Sequence, residues 1–204
     1  MCSKCFQPSQ GCYCSGLSTF DSGIEFIILI HPAERRRRIA SGRMSHLMLE
    51  NSRLIAGEDF SGRREVDEII ADSRSVILYP GPTSVNLTAM STAERGSLFS
   101  DSTKLNVFVI DGTWSTARKM IRSKNLAGLE RISFEMNQPS RFGRVRKQPA
   151  PGCFSTIEAI HHTIELLGET RGFDVESRKH DVLLNVFDSM VQRQMTFVEP
   201  KVVD

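Results

Sequence analysis

The sequence contains no long apolar run, and this absence excludes membrane-spanning and exported classes of protein. Its first sizeable apolar run, Phe26 to Ile30, is far shorter than the about 20 residues that a transmembrane helix needs, and the acidic Glu25 precedes it. Nothing resembles the basic start, apolar middle and cleavage site of a signal peptide. We therefore predict a soluble, cytoplasmic protein without a membrane partner.

An excess of charge of one sign is also missing, because the net charge is only +2 although 25% of the residues are charged. This balance excludes a strongly cationic nucleic-acid-binding protein, so any contact with nucleic acid must come from local clusters. The sequence has no internal repeat or low-complexity segment. Its 204 residues, of which 40% are hydrophobic, are enough for one globular domain with a real core.

Four of the five cysteines lie close to the N-terminus, as Cys2-x-x-Cys5 and Cys12-x-Cys14. Close pairs of thiolates suit tetrahedral zinc, and two pairs supply the four sulfur ligands of a closed structural site. Two small disulfides or a redox-active pair are the alternatives. A reducing cytosol disfavours the first, and the second normally precedes a helix in a thioredoxin-like unit. We predict a zinc knuckle over residues 1–18, followed by the main domain over 19–204.

Apolar runs alternate with helical patterns in the main domain, which indicates an α/β fold with a mostly parallel sheet flanked by helices. The predicted strands are 23–31, 76–79, 105–110 and 131–135. Helical patterns cover 44–49 and 65–71, and two longer ones lie near the C-terminus. In these two, apolar residues recur on one face: Ile157, Ile160, Ile164 and Leu167 in the first, and Leu183, Phe187, Met190 and Val191 in the second.

The third apolar run ends in Asp111-Gly112-Thr113-Trp114, and a helical pattern follows. Ligands of parallel sheets bind at the carboxyl ends of strands, and the N–H groups that begin the next helix attract anions. A carboxylate at such a junction is a candidate general base. The alternative interpretation is structural: Asp111 caps the helix, Thr113 begins it and Trp114, the only tryptophan, fills the core.

A second helix start is predicted at Ser155-Thr156-Ile157-Glu158, which has the pattern of a capping box. In that motif Ser155 caps the helix and Glu158 accepts a hydrogen bond from the Ser155 amide. The same geometry leaves Ser155 and Thr156 beside a polar loop, where they could line a pocket. We interpret His161, on the helix that follows, as a structural residue.

Two basic stretches are candidates for contact with RNA. The run from Arg35 to Arg38 is interpreted as the solvated face of a helix start. The segment 139–147 is the better candidate, because it contains no acid and an aromatic ring lies among its cations. Its predicted RNA-binding residues are Arg141, Phe142, Arg144, Arg146 and Lys147.

Six segments in this order resemble the DTW-domain family of tRNA-uridine aminocarboxypropyltransferases, whose fold is related to that of the SPOUT RNA methyltransferases. They are the cysteines at 2, 5, 12 and 14; His31-Pro32-x-Glu34 with Ser41-Gly42-Arg43-Met44; Leu78-Tyr79-Pro80; Asp111-Gly112-Thr113-Trp114; Pro139-Ser140-Arg141; and Ser155-Thr156-Ile157-Glu158-Ala159. The sequence departs from the family pattern at Ser41, where threonine is more usual.

The resemblance implies that the donor is S-adenosylmethionine and that its 3-amino-3-carboxypropyl group moves to N3 of a uridine in tRNA, with release of methylthioadenosine. It implies that Asp111 is the catalytic base, that the partner is tRNA, and that no obligate protein partner is needed. The implied fold is SPOUT-like, and relatives with that fold carry a C-terminal knot. The implied donor-binding residues are Tyr79, Pro80, Gly81, Gly112, Thr113, Trp114, Ser155 and Thr156.

Two other functions remain open at this point. A SPOUT-type methyltransferase would use the same donor and an RNA substrate but would move the methyl group. A non-catalytic zinc-knuckle RNA-binding protein would contain Asp111 and Trp114 only as structural residues. Affinity for the donor separates the second alternative from both enzymes, and the nature of the released product separates the enzymes from each other.

Overall fold

A six-stranded parallel sheet forms the centre of the protein. The computed structural model describes residues 1–35, 37, 39–99, 104–141 and 153–197. Its strands are β1 (Glu25–Ile30), β2 (Ser52–Ala56), β3 (Arg74–Leu78), β4 (Val85–Asn86), β5 (Leu105–Asp111) and β6 (Glu130–Ser133), in the spatial order β2-β1-β5-β3-β6-β4. The predicted α/β fold with a parallel sheet is therefore confirmed.

Helices cover both faces of this sheet. The helices are α1 (Pro32–Arg35), α2 (Ser41–His46), α3 (Arg64–Asp72), α4 (Thr92–Leu98), α5 (Trp114–Met120), α6 (Lys124–Ala127), α7 (Thr156–Leu167) and α8 (Val182–Phe197). Both predicted C-terminal helices are present, as α7 and α8. Among the described residues, none of these helices has the length and apolar character that crossing a bilayer requires.

The apolar run of β1 is buried on both sides, because alternate side chains of a strand point to opposite faces. Phe26 and Ile28 pack with α2, α7 and α8 on one face. Ile27 and Leu29 pack with α3 and α5 on the other face. The sheet is therefore packed between two apolar layers.

Two strands of the sheet, β2 and β4, were not predicted from the sequence. Only Ile55 of β2 is buried, and β4 is two residues long, so neither carries an apolar run. Both lie at the edges of the sheet, where each strand has one neighbour and less apolar burial is needed. Their pairing with β1 and β6 therefore comes from the sheet rather than from a local sequence pattern.

The N-terminal cysteine segment packs onto the main domain. Cys5 and Tyr13 are buried in the same apolar cluster as Met44 and Met48 near α2. The Arg43 guanidinium carbon lies 4.4 Å from the centre of the Phe6 ring, which is a cation–π contact. The segment is thus joined to α2 by packing. The domain boundary after residue 18 and the C-terminal knot stay predictions.

Candidate functional site

A cavity of about 520 Å³ opens at the carboxyl ends of the strands, between the ends of β3 and β5 and the start of α7. Ligands of parallel α/β sheets bind at this end of the strands. Its wall contains most of the residues predicted to bind the donor: Tyr79, Pro80, Gly112, Thr113, Trp114, Ser155 and Thr156. Asp111, the predicted base, also lines it. Asp111 and Thr156, which are 45 positions apart in the sequence, therefore meet at one site.

Gly81 is the predicted donor-binding residue that the structure does not bring to the cavity wall. Its amide donates to Ser84 Oγ at 3.2 Å, within a turn that the Ser84 amide closes on the Gly81 carbonyl. The Ser84 hydroxyl donates back to the Gly81 carbonyl at 2.8 Å. Because the turn uses the polar backbone groups of Gly81 internally, Tyr79 and Pro80 are the residues of this segment that face the cavity.

Asp111 is the last residue of β5, and only 6% of its surface is exposed. Each of its carboxylate oxygens accepts one hydrogen bond from a neutral donor. Thr156 Oγ1 donates to Oδ1 at 2.6 Å, and the Gly42 amide donates to Oδ2 at 3.2 Å. The donors come from α7 and α2, so helices from two distant parts of the chain fix the orientation of this side chain.

Burial raises the pKa of Asp111 above its ordinary value of 3.8. The hydrogen bond from Thr156 opposes this rise, and the nearby carboxylate of Glu34 adds to it. A carboxylate with a raised pKa holds a proton more strongly when it has accepted one, so it is a better base near neutral pH.

Gly42 is required by the close approach of α2 to this carboxylate. A Cβ atom at position 42 would lie 2.6 Å from Asp111 Oδ2 and 2.9 Å from Ile28 Cγ2. Real Cβ atoms do not come so near to other atoms, so a larger residue would displace the carboxylate or the helix. The close contacts give a physical reason for glycine in the Ser41-Gly42-Arg43 segment, for which no role was predicted from the sequence.

The junction after β5 differs from the structural interpretation, in which Asp111 caps the helix and Trp114 fills the core. Thr113 is the residue that caps α5, since its Oγ1 accepts a hydrogen bond from the Thr116 amide at 3.2 Å. Asp111 therefore does not cap α5. Trp114, the first residue of α5, is partly exposed on the cavity wall, and the two apolar clusters found among the described residues do not include it. The junction therefore presents a carboxylate and an indole to the same cavity.

Four further charged or aromatic groups on the wall were not predicted as site residues: Glu34, Arg118, Phe134 and Phe154. Glu34 of α1 is 5% exposed, and its carboxylate oxygen lies 2.9 Å from Arg37 Nη1. Arg118 of α5 is exposed, Phe134 follows β6, and Phe154 precedes α7. Glu34 belongs to the His31-Pro32-x-Glu34 motif, which was the signal available for it. The other three carried no such signal in the sequence.

The four N-terminal cysteines converge as the spacing predicted. Sγ of Cys2 lies 3.7 Å from Sγ of Cys14, and Sγ of Cys5 lies 3.6 Å from Sγ of Cys12. A tetrahedron with Zn–S bonds of about 2.3 Å has edges of about 3.8 Å, so the four sulfurs fit a zinc ion. Burial and the neighbouring thiols raise the pKa of Cys14 to about 12. A bound zinc ion would favour the thiolate form of Cys14.

Comparison with known proteins decides the family. The DTW domain matches residues 1–195. The chain belongs to the DTW domain family. No solved structure matches this DTW domain.

Relatives of this DTW domain include enzymes from animals and plants. It is 28% identical over 173 residues to tRNA-uridine aminocarboxypropyltransferase 2 of Mus musculus, covering 81% of this chain and 56% of the relative. It is 27% identical over 174 residues to the Drosophila melanogaster protein of the same name, covering 81% and 66%. It is 25% identical over 229 residues to tRNA-uridine aminocarboxypropyltransferase A of Arabidopsis thaliana, covering 98% and 83%. The chain thus spans less than two thirds of the length of the two animal proteins.

The basic segment of the DTW domain lies mostly outside the described residues. Phe142, Arg144, Arg146 and Lys147 belong to the part that the structure does not describe. Arg141 is described, and its guanidinium forms an ion pair with Asp188 of α8. The side chain of Arg141 therefore already has a carboxylate partner, so its predicted contact with RNA would have to share or replace that ion pair.

A second cluster of potential metal ligands in the DTW domain is explained by hydrogen bonds. His161 Nε2 lies 2.8 Å from Asp181 Oδ1, and His180 Nε2 lies 2.9 Å from Glu165 Oε1. Arg178 bridges both carboxylates, at 2.7 and 2.6 Å. Metal binding at both Nε2 atoms would require protons on Nδ1, and the buried Nδ1 of His180 has no hydrogen-bond partner among the described residues. Hydrogen bonds and the Arg178 ion pairs thus connect all four residues of the cluster, and the structural interpretation of His161 stays a prediction.

Proposed function

We propose that this DTW domain is a tRNA-uridine aminocarboxypropyltransferase that uses S-adenosylmethionine as donor. The observation that carries the proposal is the buried Asp111 carboxylate, which faces a cavity of about 520 Å³ beside Trp114. Membership of the DTW family and the names of its relatives support the same activity. The large cavity and the raised pKa of Asp111 favour an enzyme over a binding protein without catalysis.

Asp111 acts as general base in this reaction. It accepts the proton from N3 of the uridine, and N3 forms a bond to the donor carbon next to the sulfonium. The carbon–sulfur bond breaks, its electron pair stays on sulfur, and methylthioadenosine leaves. Thr156 and Gly42 hold the carboxylate in one orientation, so that proton transfer needs no rearrangement of the base.

Charges on the cavity wall match those of the group that is transferred. An aminocarboxypropyl group carries an ammonium and a carboxylate, and the donor sulfur is cationic. Glu34 and Asp111 supply negative charge on one part of the wall. Arg118 on the wall, with the amides at the start of α7, suits the donor carboxylate. Trp114 supplies an apolar surface for the donor.

Identification of both products tests the activity. The protein is incubated with unmodified tRNA and S-adenosylmethionine. We expect methylthioadenosine in the supernatant and a tRNA nucleoside heavier by one aminocarboxypropyl unit. Recovery of S-adenosylhomocysteine with a methylated nucleoside would instead identify a methyltransferase. Binding of tRNA with no product of either kind would identify a binding protein without catalysis.

Replacement of Asp111 by asparagine tests the assignment of the base. The Thr156 hydroxyl can reverse and accept from the new amide, while the amide oxygen still accepts from the Gly42 N–H, so the local structure is kept. We expect Asp111→Asn to bind the donor, as followed by the fluorescence of Trp114, and to lose about 10²- to 10⁴-fold in kcat. Near-normal turnover would remove Asp111 from the role of base.

A further inference from the structure

Glu158 makes more hydrogen bonds than a helix cap requires. Its Oε2 accepts from the Ser155 amide at 2.9 Å, as the predicted capping box requires, and it also accepts from Ser155 Oγ at 2.6 Å. Oε2 also accepts from Ser140 Oγ at 2.8 Å, and Oε1 accepts from the Arg141 amide at 2.7 Å. These two additional donors come from a segment 17 and 18 residues earlier in the chain. The side chain is 4% exposed, so water does not replace them.

These hydrogen bonds join two parts of the cavity wall. Ser140, Ser155 and Thr156 all line the cavity. Ser140 and Ser155 share one oxygen of Glu158, and Thr156, the next residue, donates to Asp111. The buried carboxylate of Glu158 therefore lies behind the wall and fixes both the Ser140 segment and the turn that holds the base.

We propose that Glu158 is a positioning residue of the transferase, whose carboxylate sets the shape of the donor-binding wall by holding Ser140 and Arg141 against the first turn of α7. The proposal rests on the function proposed above. Glu158 does not touch the reacting atoms, and its effect is exerted through the residues that it holds.

A carboxylate is needed for this role because all four partners are donors. An anionic carboxylate offers two acceptor oxygens, whereas a glutamine offers one and places an NH₂ group where the other was. The hydroxyls of Ser140 and Ser155 can turn to accept from that NH₂ group, but the amides of Ser155 and Arg141 cannot. If the glutamine oxygen keeps the Ser155 amide and thus the helix cap, the part-buried Arg141 amide loses its acceptor. This loss is unfavourable, so the Ser140 segment would move away from α7.

The chain contains a matched control in the capping box of α4. Glu94 accepts from the Ser91 amide and from Ser91 Oγ, both at 2.7 Å, and the structure shows no further donor on it among the described residues. Glu94 is exposed and lies outside the cavity wall. Glu94→Gln therefore alters a helix cap alone, whereas Glu158→Gln alters a cap and the hydrogen bonds to the Ser140–Arg141 segment.

Both variants are compared with the wild-type protein by three measurements: the free energy of unfolding in urea, KM and kcat, and donor binding followed by the fluorescence of Trp114. We expect Glu158→Gln to raise KM and Kd for S-adenosylmethionine by about tenfold or more, because charge-assisted hydrogen bonds hold the wall. Glu94→Gln should leave KM and Kd unchanged. If Glu158→Gln loses stability and keeps its KM and Kd, Glu158 is a cap only and the proposal is wrong.

Amide hydrogen exchange at Arg141 provides a readout that does not depend on activity. We expect Glu158→Gln to speed exchange at this amide and Glu94→Gln to leave it unchanged. If the wild-type protein produces no aminocarboxypropyl nucleoside, the proposed function fails, and exchange at Arg141 still decides whether Glu158 holds this segment. Unchanged exchange in Glu158→Gln would overturn the proposal even for an active enzyme.

Discussion

Replacing Gly42 by alanine tests the close packing of α2 against the proposed base. The added methyl carbon would lie 2.6 Å from Asp111 Oδ2, 2.8 Å from Asp111 Cγ and 2.9 Å from Ile28 Cγ2. Ordinary contact begins near 3.4 Å, so atoms must separate by about 0.8 Å. Neither side can yield easily, because Ile28 is a fully buried residue of β1 and Asp111 is held by Thr156.

The expected loss of stability follows from this crowding. Overpacking a dense core costs about 1 to 3 kcal/mol, and here it also threatens the hydrogen bond from the Gly42 amide to Asp111. Helix propensity acts in the opposite direction, since alanine is preferred to glycine inside a helix by about 1 kcal/mol. We therefore expect a net destabilisation of up to about 2 kcal/mol, measured as the free energy of unfolding in urea.

Catalysis should suffer more than stability. Moving a catalytic group by nearly 1 Å costs about 100-fold in rate, which is about 2.7 kcal/mol of transition-state stabilisation. The assay is release of methylthioadenosine in the presence of tRNA. Gly96→Ala in α4 is the matched control, because no atom lies within 4 Å of its Cβ position. This control should keep full activity and gain about 0.5 to 1 kcal/mol of stability. A Gly42→Ala protein as stable and active as the Gly96→Ala protein would refute the reasoning.

Three further changes have expected outcomes. Because the pKa of Asp111 is raised on folding, the stability from its protonated form is complete below pH 3.8 and is lost as pH rises through the folded pKa. Urea unfolding should therefore find Asp111→Asn more stable than wild type at neutral pH. The kcat/KM of the wild type should rise with pH through the same pKa, because kcat/KM reports the ionisation of the free enzyme. Removal of zinc by a chelator should lower the melting temperature, and Cys5→Ser should do the same, whereas equal melting curves with and without chelator would contradict a structural zinc ion. Neutralising Arg144 and Arg146 together should weaken tRNA binding and lower its salt dependence, which filter binding at several salt concentrations measures; an unchanged salt slope would assign RNA binding to another surface.

Local patterns in the sequence were sufficient to predict the central strands and the junction at Asp111. β1 and β5 are buried on both faces over most of their length, and Val76 and Ile77 are buried in β3, so their apolar runs are visible without any knowledge of partners. The capping box at Ser155 was likewise visible, because its two residues lie three positions apart. Each of these features depends on neighbours in the chain.

Contacts between distant residues account for what the sequence did not predict. The amide of Gly42 reaches Asp111 across 69 positions, and no periodicity encodes such a contact. Glu158 was correctly interpreted as part of a helix cap, but its bonds to Ser140 and Arg141 depend on where another segment crosses α7. Residues of this kind become visible when the chain folds, and they determine how rigidly the site is held.

The hydrogen-bond donors to Asp111 are uncharged, and this suits the chemistry proposed for the site. A guanidinium bonded directly to the carboxylate would hold it firmly but would lower its pKa and weaken it as a base. A hydroxyl from Thr156 and an amide from Gly42 fix its orientation while burial keeps the pKa raised. The unfavourable burial of a charge must then be offset by packing elsewhere in the fold. A base buried in this way is what the removal of a proton from a weakly acidic nitrogen requires.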